Sequence, residues 1–285
     1  MTGYREENKL IMDKNAPIGV FDSGVGGLTV AREIMRQIPN ERIVYFGDTA
    51  RVPYGSKSKD NIIKFSRQII RFLQTENVKA IVIACNTASA LALDEMQQEF
   101  DLPILGVVKP GAKVAVETTA NKRIGLIGTE ANIRSGVYTR YIKSLDDEAK
   151  VFEKACPLFV PLVEEGWLHD DITLQVASRY LEELKEKDID TLIMGCTHYP
   201  LIRSTIRKVM GDKVNLVNPA YETAIELKNL LERDNLANKC DVDSPSSMYR
   251  FYVSDAEEKF KLFANSILPF DITCLLYTSP SPRDR

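Results

Sequence analysis

The stretch IVIACNTASA, residues 81–90, ends an apolar run on the thiol of Cys85 and continues at once with two small hydrogen-bonding side chains, Asn86 and Thr87. The run is rich in Ile and Val and lacks apolar–polar alternation, which is typical of a strand buried on both faces of a parallel sheet. Open α/β sheets bind ligands beyond the carboxyl ends of their strands. The stretch therefore predicts a parallel sheet with a thiol at its ligand-binding edge.

The chain repeats this arrangement. TLIMGCTHYP, residues 191–200, places Cys196 at the end of a second apolar run, 111 residues after Cys85. Similarly, IGVFDS begins at Ile18 and IGLIGT begins at Ile124, 106 residues later. If these matches reflect an internal duplication, the chain forms two similar lobes whose strand ends face one cleft.

Apolar runs of strand length alternate with amphipathic segments of helical period along the whole chain. The predicted strands are residues 17–21, 42–46, 79–84, 103–107, 123–127, 190–194 and 214–218, with a further short strand and a helix after residue 250. This alternation is typical of right-handed β–α–β crossovers. We therefore predict an α/β fold of two similar, doubly wound, mostly parallel-sheet lobes, with the active site in the cleft between them.

The chain has 285 residues, a formal net charge of −3 and five cysteines. The length suits two domains, and the charge argues against a general attraction to nucleic acid or an anionic membrane. We find no apolar run of bilayer length and no secretory signal in the first 16 residues, so we expect a cytoplasmic protein without membrane or nucleic-acid partners. In a reducing compartment, widely spaced cysteines without a CxxC pair are free thiols, metal ligands or nucleophiles.

Cys85 and Cys196 allow more than one interpretation. Taken singly, each is more often a small buried hydrophobe than a catalytic group. Their matched positions favour catalysis, since a helix after each turn would bring its N-terminal amides near the sulfur and favour the thiolate. A metal site is a third reading, but Cys196 and His198 are two residues apart and no Cys/His pair has structural zinc spacing. We expect no metal.

FDSGVGGLTV, residues 21–30, places glycines between a predicted strand and a predicted helix. The stretch matches neither the dinucleotide fingerprint G-x-G-x-x-G nor the P-loop. What remains is the pair Asp22 and Ser23 on a glycine-rich turn with free backbone amides, which suits a small anion such as a carboxylate. The alternative, that Asp22 caps the following helix, stays open.

Two histidines and two adjacent glutamates are further candidates. His169 lies in a charged stretch and is interpreted as a solvated surface residue. His198 lies beside Cys196, where it can shuttle a proton or tune the thiol. Glu164 and Glu165 follow a proline-containing apolar segment; either both are surface carboxylates or one of them enters the cleft.

Six segments resemble, in order and spacing, the signature segments of bacterial glutamate racemases. They are PIGVFDSGVGGLTV, FGDTARVPYGSKS, IVIACNTASA, IGLIGTEA, CPLFVPLVEEG and MGCTHYPLI, and the resemblance runs from about Pro17 to about Phe260. The two cysteine motifs are highly specific in combination. The resemblance implies an isomerase that interconverts L- and D-glutamate without pyridoxal phosphate or metal, and supplies D-glutamate for peptidoglycan. It also implies glutamate as the small-molecule substrate and a homodimer.

The resemblance further implies roles for individual residues. Cys85 and Cys196 would be the acid/base pair, with Asp22, Glu164 and His198 tuning or assisting the thiols. The substrate would be held by Asp22, Ser23, Pro53, Tyr54, Gly55, Asn86, Thr87, Thr129, Thr197 and His198. Many relatives read Gly-Thr-x-x-Thr where this chain has Thr129 and then Asn132, which puts substrate side-chain binding at that position in doubt.

The family fold implies that the chain returns to the first lobe after about residue 220. We therefore expect an N-terminal extension over residues 1–16, a first α/β lobe over 17–108 plus 221–270, and a second α/β lobe over 109–220. Residues 274–285 resemble a translated sequencing-adapter tail, and we set them aside as non-native.

Racemisation explains why the thiols come in a pair. Inverting a carbon centre requires removal of a proton from one face and delivery of another to the opposite face, and one base cannot reach both. A free cysteine has a pKa of about 8.5, so we expect one thiolate and one thiol at rest, exchanging roles with the direction of reaction. Two alternatives stay open: an aspartate or other amino-acid racemase of the same superfamily, and a non-catalytic regulatory binding protein on this fold.

Overall fold

The computed structural model describes residues 13–239 and 248–277, and two parallel sheets organise this part of the chain. The strands are β1 (Ile18–Asp22), β2 (Ile43–Gly47), β3 (Ala80–Ile83), β4 (Ile104–Gly106), β5 (Arg123–Gly128), β6 (Lys150–Ala155), β7 (Thr191–Gly195), β8 (Asn215–Val217), β9 (Tyr249–Val253) and β10 (Cys274–Leu276). Each pairing between neighbouring strands is parallel. The predicted α/β class is confirmed.

Helices connect these strands. They are α1 (Leu28–Gln37), α2 (Lys59–Thr75), α3 (Asn86–Glu99), α4 (Val108–Thr118), α5 (Glu130–Ser135), α6 (Val137–Leu145), α7 (Phe159–Glu164), α8 (Asp171–Lys185), α9 (Arg203–Met210), α10 (Pro219–Arg233) and α11 (Glu257–Ile267), with short 3₁₀ helices at Tyr54–Ser56 and Tyr199–Ile202. Of the helices in the described residues, none combines the length and the apolar character that a membrane span requires.

The internal repeat seen in the sequence reappears in the order of the strands. The first sheet runs β10-β9-β2-β1-β3-β4 and the second runs β6-β5-β7-β8. The central part of the first order, β2-β1-β3-β4, is therefore reproduced by the whole of the second. Because β1 corresponds to β5 and β3 to β7, both cysteines follow equivalent strands.

Helices cover both faces of each sheet. On the first sheet, α1, α10 and α11 pack on one face, while α2 and α3 pack on the other. On the second sheet, α4 and α6 pack on one face, while α7, α8 and α9 pack on the other. Each fully buried Ile, Leu or Val between these helices and the sheets contributes about 1.5–3 kcal/mol to the stability of the fold, because its apolar surface is removed from water.

Two strands differ from the sequence analysis. β6 was not predicted because its sequence, KVFEKA, is charged and partly exposed, as an edge strand paired only with β5 can be. β10 lies in the segment that we had set aside, yet Cys274–Leu276 pairs with β9 as the outer strand of the first sheet. The first sheet thus extends past residue 270, the expected end of the first lobe. Cys240, the first 12 residues of the N-terminal extension and residues 278–285 lie outside the described residues.

The chain path passes from the first sheet to the second and back again. β1–β4 belong to the first sheet, β5–β8 to the second, and β9 and β10 to the first. α10 packs against α1 and contributes to the first hydrophobic core. On these contacts we propose lobe boundaries near residues 108 and 220, as expected from the sequence.

Candidate active site

The carboxyl ends of both sheets meet at one cavity of about 40 Å³. It is lined by Ser23, Val52, Pro53, Tyr54, Gly55, Cys85, Asn86 and Thr87 from the first lobe, and by Thr129, Val160, Cys196, Thr197 and His198 from the second. Most residues that the sequence nominated for the site are therefore in one place. Asp22 and Glu164 are not in the lining. Glu164 contacts the lining residue His198, and Asp22 directly precedes the lining residue Ser23.

Cys85 follows β3 and occupies the N-cap position of α3. Its Sγ lies 3.7 Å from the hydroxyl of Ser23. Burial of the sulfur, together with the negative charge of Asp22, raises the pKa of Cys85 to about 12, although the backbone amide of Ala88 and the Ser23 hydroxyl act in the opposite direction. At neutral pH this cysteine is a thiol.

Cys196 follows β7 and is the first group of a thiol–imidazole–carboxylate chain. Its Sγ lies 3.7 Å from Nδ1 of His198, and Nε2 of His198 lies 3.1 Å from Oε1 of Glu164 at the end of α7. Burial acts to lower the pKa of His198, but its hydrogen bonds to Cys196 and Glu164 outweigh burial and raise that pKa to about 10. The hydrogen bond to His198 lowers the pKa of Glu164. At neutral pH an imidazolium–carboxylate pair therefore lies against Cys196.

Asp22 ends β1 and is fully buried. One carboxylate oxygen accepts the backbone N–H of Gly24 at 2.9 Å, and the other, Oδ1, has no hydrogen-bond partner among the described residues. Burial raises the pKa of Asp22, while the nearby His198 lowers it. α1 begins at Leu28 with Gly27 as its N-cap, so Asp22 is not the N-cap residue, although the backbone N–H groups of Gly24 and Gly27 both interact with its carboxylate. Asp22 instead closes the turn that carries Ser23 into the cavity.

Hydrogen bonds join the two lobes across the cleft. They connect the hydroxyls of Thr87 and Thr129 (3.0 Å), Tyr138 to the side-chain oxygen of Asn86 (2.7 Å), and Thr29 to the carbonyl of Thr197 (2.9 Å). These partners include residues that line the cavity, so closure of the lobes and shaping of the cavity depend on the same contacts.

The other nominated residues lie outside the cavity lining. His169 lies 3.4 Å from the hydroxyl of Ser204 in a separate surface pocket, as expected of a surface residue. Glu165 points toward Lys259 at 3.9 Å, so Glu164 is the member of the pair that reaches the site. Among the described residues, no cluster of His, Cys, Asp and Glu side chains has the composition of a metal site.

Asp48 is a supporting residue that the sequence analysis missed. It is fully buried directly after β2, and its carboxylate accepts hydrogen bonds from Arg51 (2.9 Å), Ser254 (2.9 Å) and the Tyr54 hydroxyl. It thereby fixes the loop that presents Tyr54 and Gly55 to the cavity. The sequence pattern that could have identified Asp48 is the one that identified the cysteines: a polar residue directly after a buried strand.

The fold and the site together define a class of protein: a two-lobed α/β enzyme in which each lobe contributes one thiol to a shared cleft. Residues 18–225 match the family model for Asp/Glu/Hydantoin racemase. The chain is 45% identical over 251 residues to the glutamate racemase of Geobacter metallireducens, covering 88% of this chain and 92% of that one.

Solved structures agree with this match. The glutamate racemase isoform RacE1 from Bacillus anthracis superposes with a TM-score of 0.89 at 40% identity, covering 94% of this chain and 99% of that one. Glutamate racemase from Francisella tularensis in complex with D-glutamate superposes with a TM-score of 0.86 at 39% identity, covering 93% and 98%. This chain belongs to the Asp/Glu/Hydantoin racemase family and is an isomerase. The resemblance drawn from the six segments is confirmed.

Proposed function

We propose that this chain interconverts L- and D-glutamate, with Cys85 and Cys196 acting on opposite faces of the substrate Cα. The observation that carries the proposal is that thiols from two different lobes line one cavity together with small hydroxyl and amide groups. The choice of glutamate over aspartate is supported by relatives that are glutamate racemases over nearly the whole chain, one of them with D-glutamate bound.

Each turnover moves one proton at each face of Cα. The thiolate on one side takes the α-proton and becomes a thiol, and the electron pair of the broken C–H bond stays on the substrate. The thiol on the other side then gives its proton to the opposite face and becomes a thiolate. Net charge is conserved, the carbon is inverted, and the two cysteines have exchanged protonation states.

The groups around each sulfur support this exchange in different ways. Protonated His198 directs an N–H at Cys196, and a charge-assisted hydrogen bond of this kind stabilises negative charge on sulfur. Asp22 raises the pKa of Cys85, which makes the Cys85 thiolate a stronger base once it forms. We propose that Asp22, His198 and Glu164 act in this way, through the thiols.

Apart from His198, the side chains proposed to hold the substrate are neutral donors. Among the described residues, the cavity lining contains no Lys or Arg, and it offers hydroxyls and an amide instead, on Ser23, Asn86, Thr87, Thr129 and Thr197. The amino end of α3, which begins at Asn86, adds free backbone amides suited to a carboxylate. Such donors also stabilise the charge that develops when the α-proton leaves.

We further propose a cellular setting for this activity. D-glutamate made by the reaction would supply peptidoglycan synthesis and so the cell wall, as the family resemblance implies. The protein would act in the cytoplasm as a homodimer.

Isotope incorporation tests the two-base assignment. Incubation with L-glutamate in heavy water, without added cofactor, should yield D-glutamate carrying deuterium at Cα. Replacing Cys85 or Cys196 by Ala should lower racemisation by about 10²–10⁴-fold, the usual contribution of a general acid or base. Cys156→Ala is the matched control, because Cys156 is buried yet lies outside the cavity lining, and it should remain active.

Three outcomes would contradict the proposal. Full activity of either cavity variant would exclude that cysteine as a base. Faster turnover of aspartate than of glutamate in parallel assays would favour the aspartate alternative. A regulatory binding protein would turn over neither amino acid.

A further inference from the structure

We infer that Asn132 is a positioning residue for Cys196, because its carboxamide fixes the strand end from which this thiol projects. The inference rests on the proposed role of Cys196 as one of the two bases. The sequence left substrate side-chain binding at position 132 in doubt, and Asn132 is absent from the cavity lining.

The Asn132 side chain contacts the end of the strand that carries Cys196. Asn132 lies in the first turn of α5, directly after β5, and β5 pairs with β7 so that Gly128 is opposite Gly195. Its Nδ2 donates a hydrogen bond of 2.8 Å to the carbonyl of Gly195, the residue before Cys196. The direction of the peptide that leads into Cys196 is therefore held by this amide.

The two glycines leave room for this amide. A Cβ at Gly128 would lie 3.0 Å from Nδ2 of Asn132, and a Cβ at Gly195 would lie 3.1 Å from the same atom. Asn132 itself is 1% exposed. The carboxamide is thus packed directly against both strand ends and has little freedom to move.

The hydrogen bonding of the Asn132 side chain argues against a role limited to packing. Its Oδ1 is buried and has no hydrogen-bond partner among the described residues. Burying an unsatisfied amide oxygen reduces stability, and an apolar side chain of the same size would avoid that loss. The bond to Gly195 is the interaction that distinguishes Asn132 from such a side chain.

The backbone of Asn132 extends the same support to the cavity wall. Its N–H donates to the hydroxyl of Thr129 at 3.3 Å, and that hydroxyl lies 3.0 Å from the hydroxyl of Thr87 on the other lobe. One residue thus fixes a catalytic strand end through its side chain and a lining hydroxyl through its backbone.

The internal repeat shows that this support is confined to one base. The position equivalent to Asn132 in the first lobe is Gly26, 106 residues earlier. A Cβ at Gly26 would lie 2.3 Å from the hydroxyl of Thr197, so this position is filled by the other lobe. Cys85 therefore has no equivalent carboxamide from its own lobe, and loss of Asn132 should affect the Cys196 step selectively.

Isotope effects test this selectivity. Asn132→Leu keeps the approximate volume and removes the hydrogen bond. We expect kcat/KM to fall by about 10- to 100-fold, the range for small misplacement of a catalytic group. The fall should be equal for both enantiomers, because their equilibrium constant is one. With α-deuterated substrates, the isotope effect should rise for the enantiomer deprotonated by Cys196 and fall for the other, since the Cys196 step becomes more rate-limiting.

Asn121→Leu is the matched control. The Asn121 amide donates to the carbonyl of Asp188 at the same 2.8 Å, but at the opposite edge of the same lobe. The Asn121→Leu variant should keep the unmodified rate and both unmodified isotope effects. Asn132→Thr should recover most of the activity lost in Asn132→Leu, because a hydroxyl can still donate to the Gly195 carbonyl.

The outcomes separate the inference from the proposed function. A wild-type rate in Asn132→Leu, or a lower rate with both isotope effects unchanged, would overturn the positioning role. Should Asn132→Leu fail to fold, Asn132→Asp keeps the shape while removing the donor, and the same divergence of isotope effects is required of it. Undiminished activity in Cys196→Ala would instead remove the proposed function, whatever Asn132 does.

Discussion

The two sulfurs of the cleft differ in their electrostatic surroundings. Cys85 is buried beside Asp22, and both effects favour its neutral form. Cys196 contacts His198, which is protonated at neutral pH because its pKa is raised to about 10. Since burial and the charge of Asp22 keep Cys85 protonated, we propose that Cys85 is the proton donor in the resting protein.

Glu164→Gln should move the alkaline limit of activity. As the pH rises through about 10, His198 loses its proton and the N–H that faces the sulfur, so kcat/KM should fall. Gln removes one of the interactions that raise this pKa, and the fall should shift to lower pH, toward the ordinary His value of about 6.5. Glu165→Gln, next to it but directed at Lys259, should leave the limit in place. An unshifted pH profile in Glu164→Gln would contradict the assigned role.

The same titration links the site to folding stability. A raised pKa of His198 in the folded protein contributes stability that is fully present below about pH 6.5, the ordinary value, and is lost as the pH rises through about 10. The lowered pKa of Glu164 contributes stability that is present above the ordinary pKa of a glutamate. This contribution is lost as the pH falls into the acid range.

At the scale of single residues, sequence patterns predict what lies at strand ends and miss what depends on distant partners. Cys85 and Cys196 stand out because polar groups follow apolar runs. The supporting role of Asp48 depends on Ser254, 206 residues away, and that of Tyr138 depends on Asn86 across the cleft. The contact of Asn132 with Gly195 requires the register of β5 against β7, which no local pattern contains.

At the scale of elements, the turn between β1 and α1 is one of the parts of the first lobe that pack against the second. Gly26→Ala would place a Cβ 2.3 Å from the Thr197 hydroxyl and 2.6 Å from the His198 ring. We expect at least a 10-fold loss of kcat/KM, because displacement of His198 disturbs its contact with Cys196. Gly24→Ala in the same turn meets only an ordinary contact at 3.5 Å and should lose much less. Equal losses in the two variants, measured on folded protein, would argue against this docking contact.

The amino end of β3 contains a buried ion pair far from the cleft. Nζ of Lys79 lies 2.5 Å from Glu41 and also donates to the carbonyls of Lys14 and Leu236. Lys79→Met should cost about 3–5 kcal/mol of unfolding free energy, because it leaves the Glu41 carboxylate buried without its counter-charge. The double variant with Glu41→Leu should recover much of this loss. Denaturant unfolding measures both, and a double variant as unstable as Lys79→Met would refute the explanation.

Strands buried on both faces were predictable, whereas two of the four edge strands, β6 and β10, were not. Strands β1, β3, β5 and β7 are continuous apolar runs because both of their faces pack against helices. β6 pairs on one side only, so its sequence tolerates Lys and Glu and carries no strand signal. β10 exposes about half of Leu275 and of Leu276, and its place in the sheet depends on pairing with β9 rather than on its own pattern.

At the scale of the whole molecule, the repeated strand order explains the position of the site. Two lobes of the same topology present equivalent strand ends to each other, so each lobe delivers one cysteine to the shared cleft. The residues that support the two cysteines do not follow this repeat. The first lobe has Asp22 and Gly26 where the second has Gly128 and Asn132, and only the second has a His after its cysteine motif. Two lobes with the same strand order thus supply two cysteines whose surroundings differ.

We expect the lobes to separate in each catalytic cycle, because the cavity between them is small. Its volume of about 40 Å³ suffices for roughly three or four water molecules, fewer atoms than glutamate contains. Separation would break the hydrogen bonds across the cleft, and opening of this kind often limits turnover. We expect kcat to fall as solvent viscosity rises. Tyr138→Phe removes the bond to Asn86 and should weaken this dependence, because the lobes part more easily. Tyr180→Phe, in the second lobe and away from the cleft, should keep the original dependence. A kcat independent of viscosity in the unmodified protein would show that opening is fast and that proton transfer sets the rate.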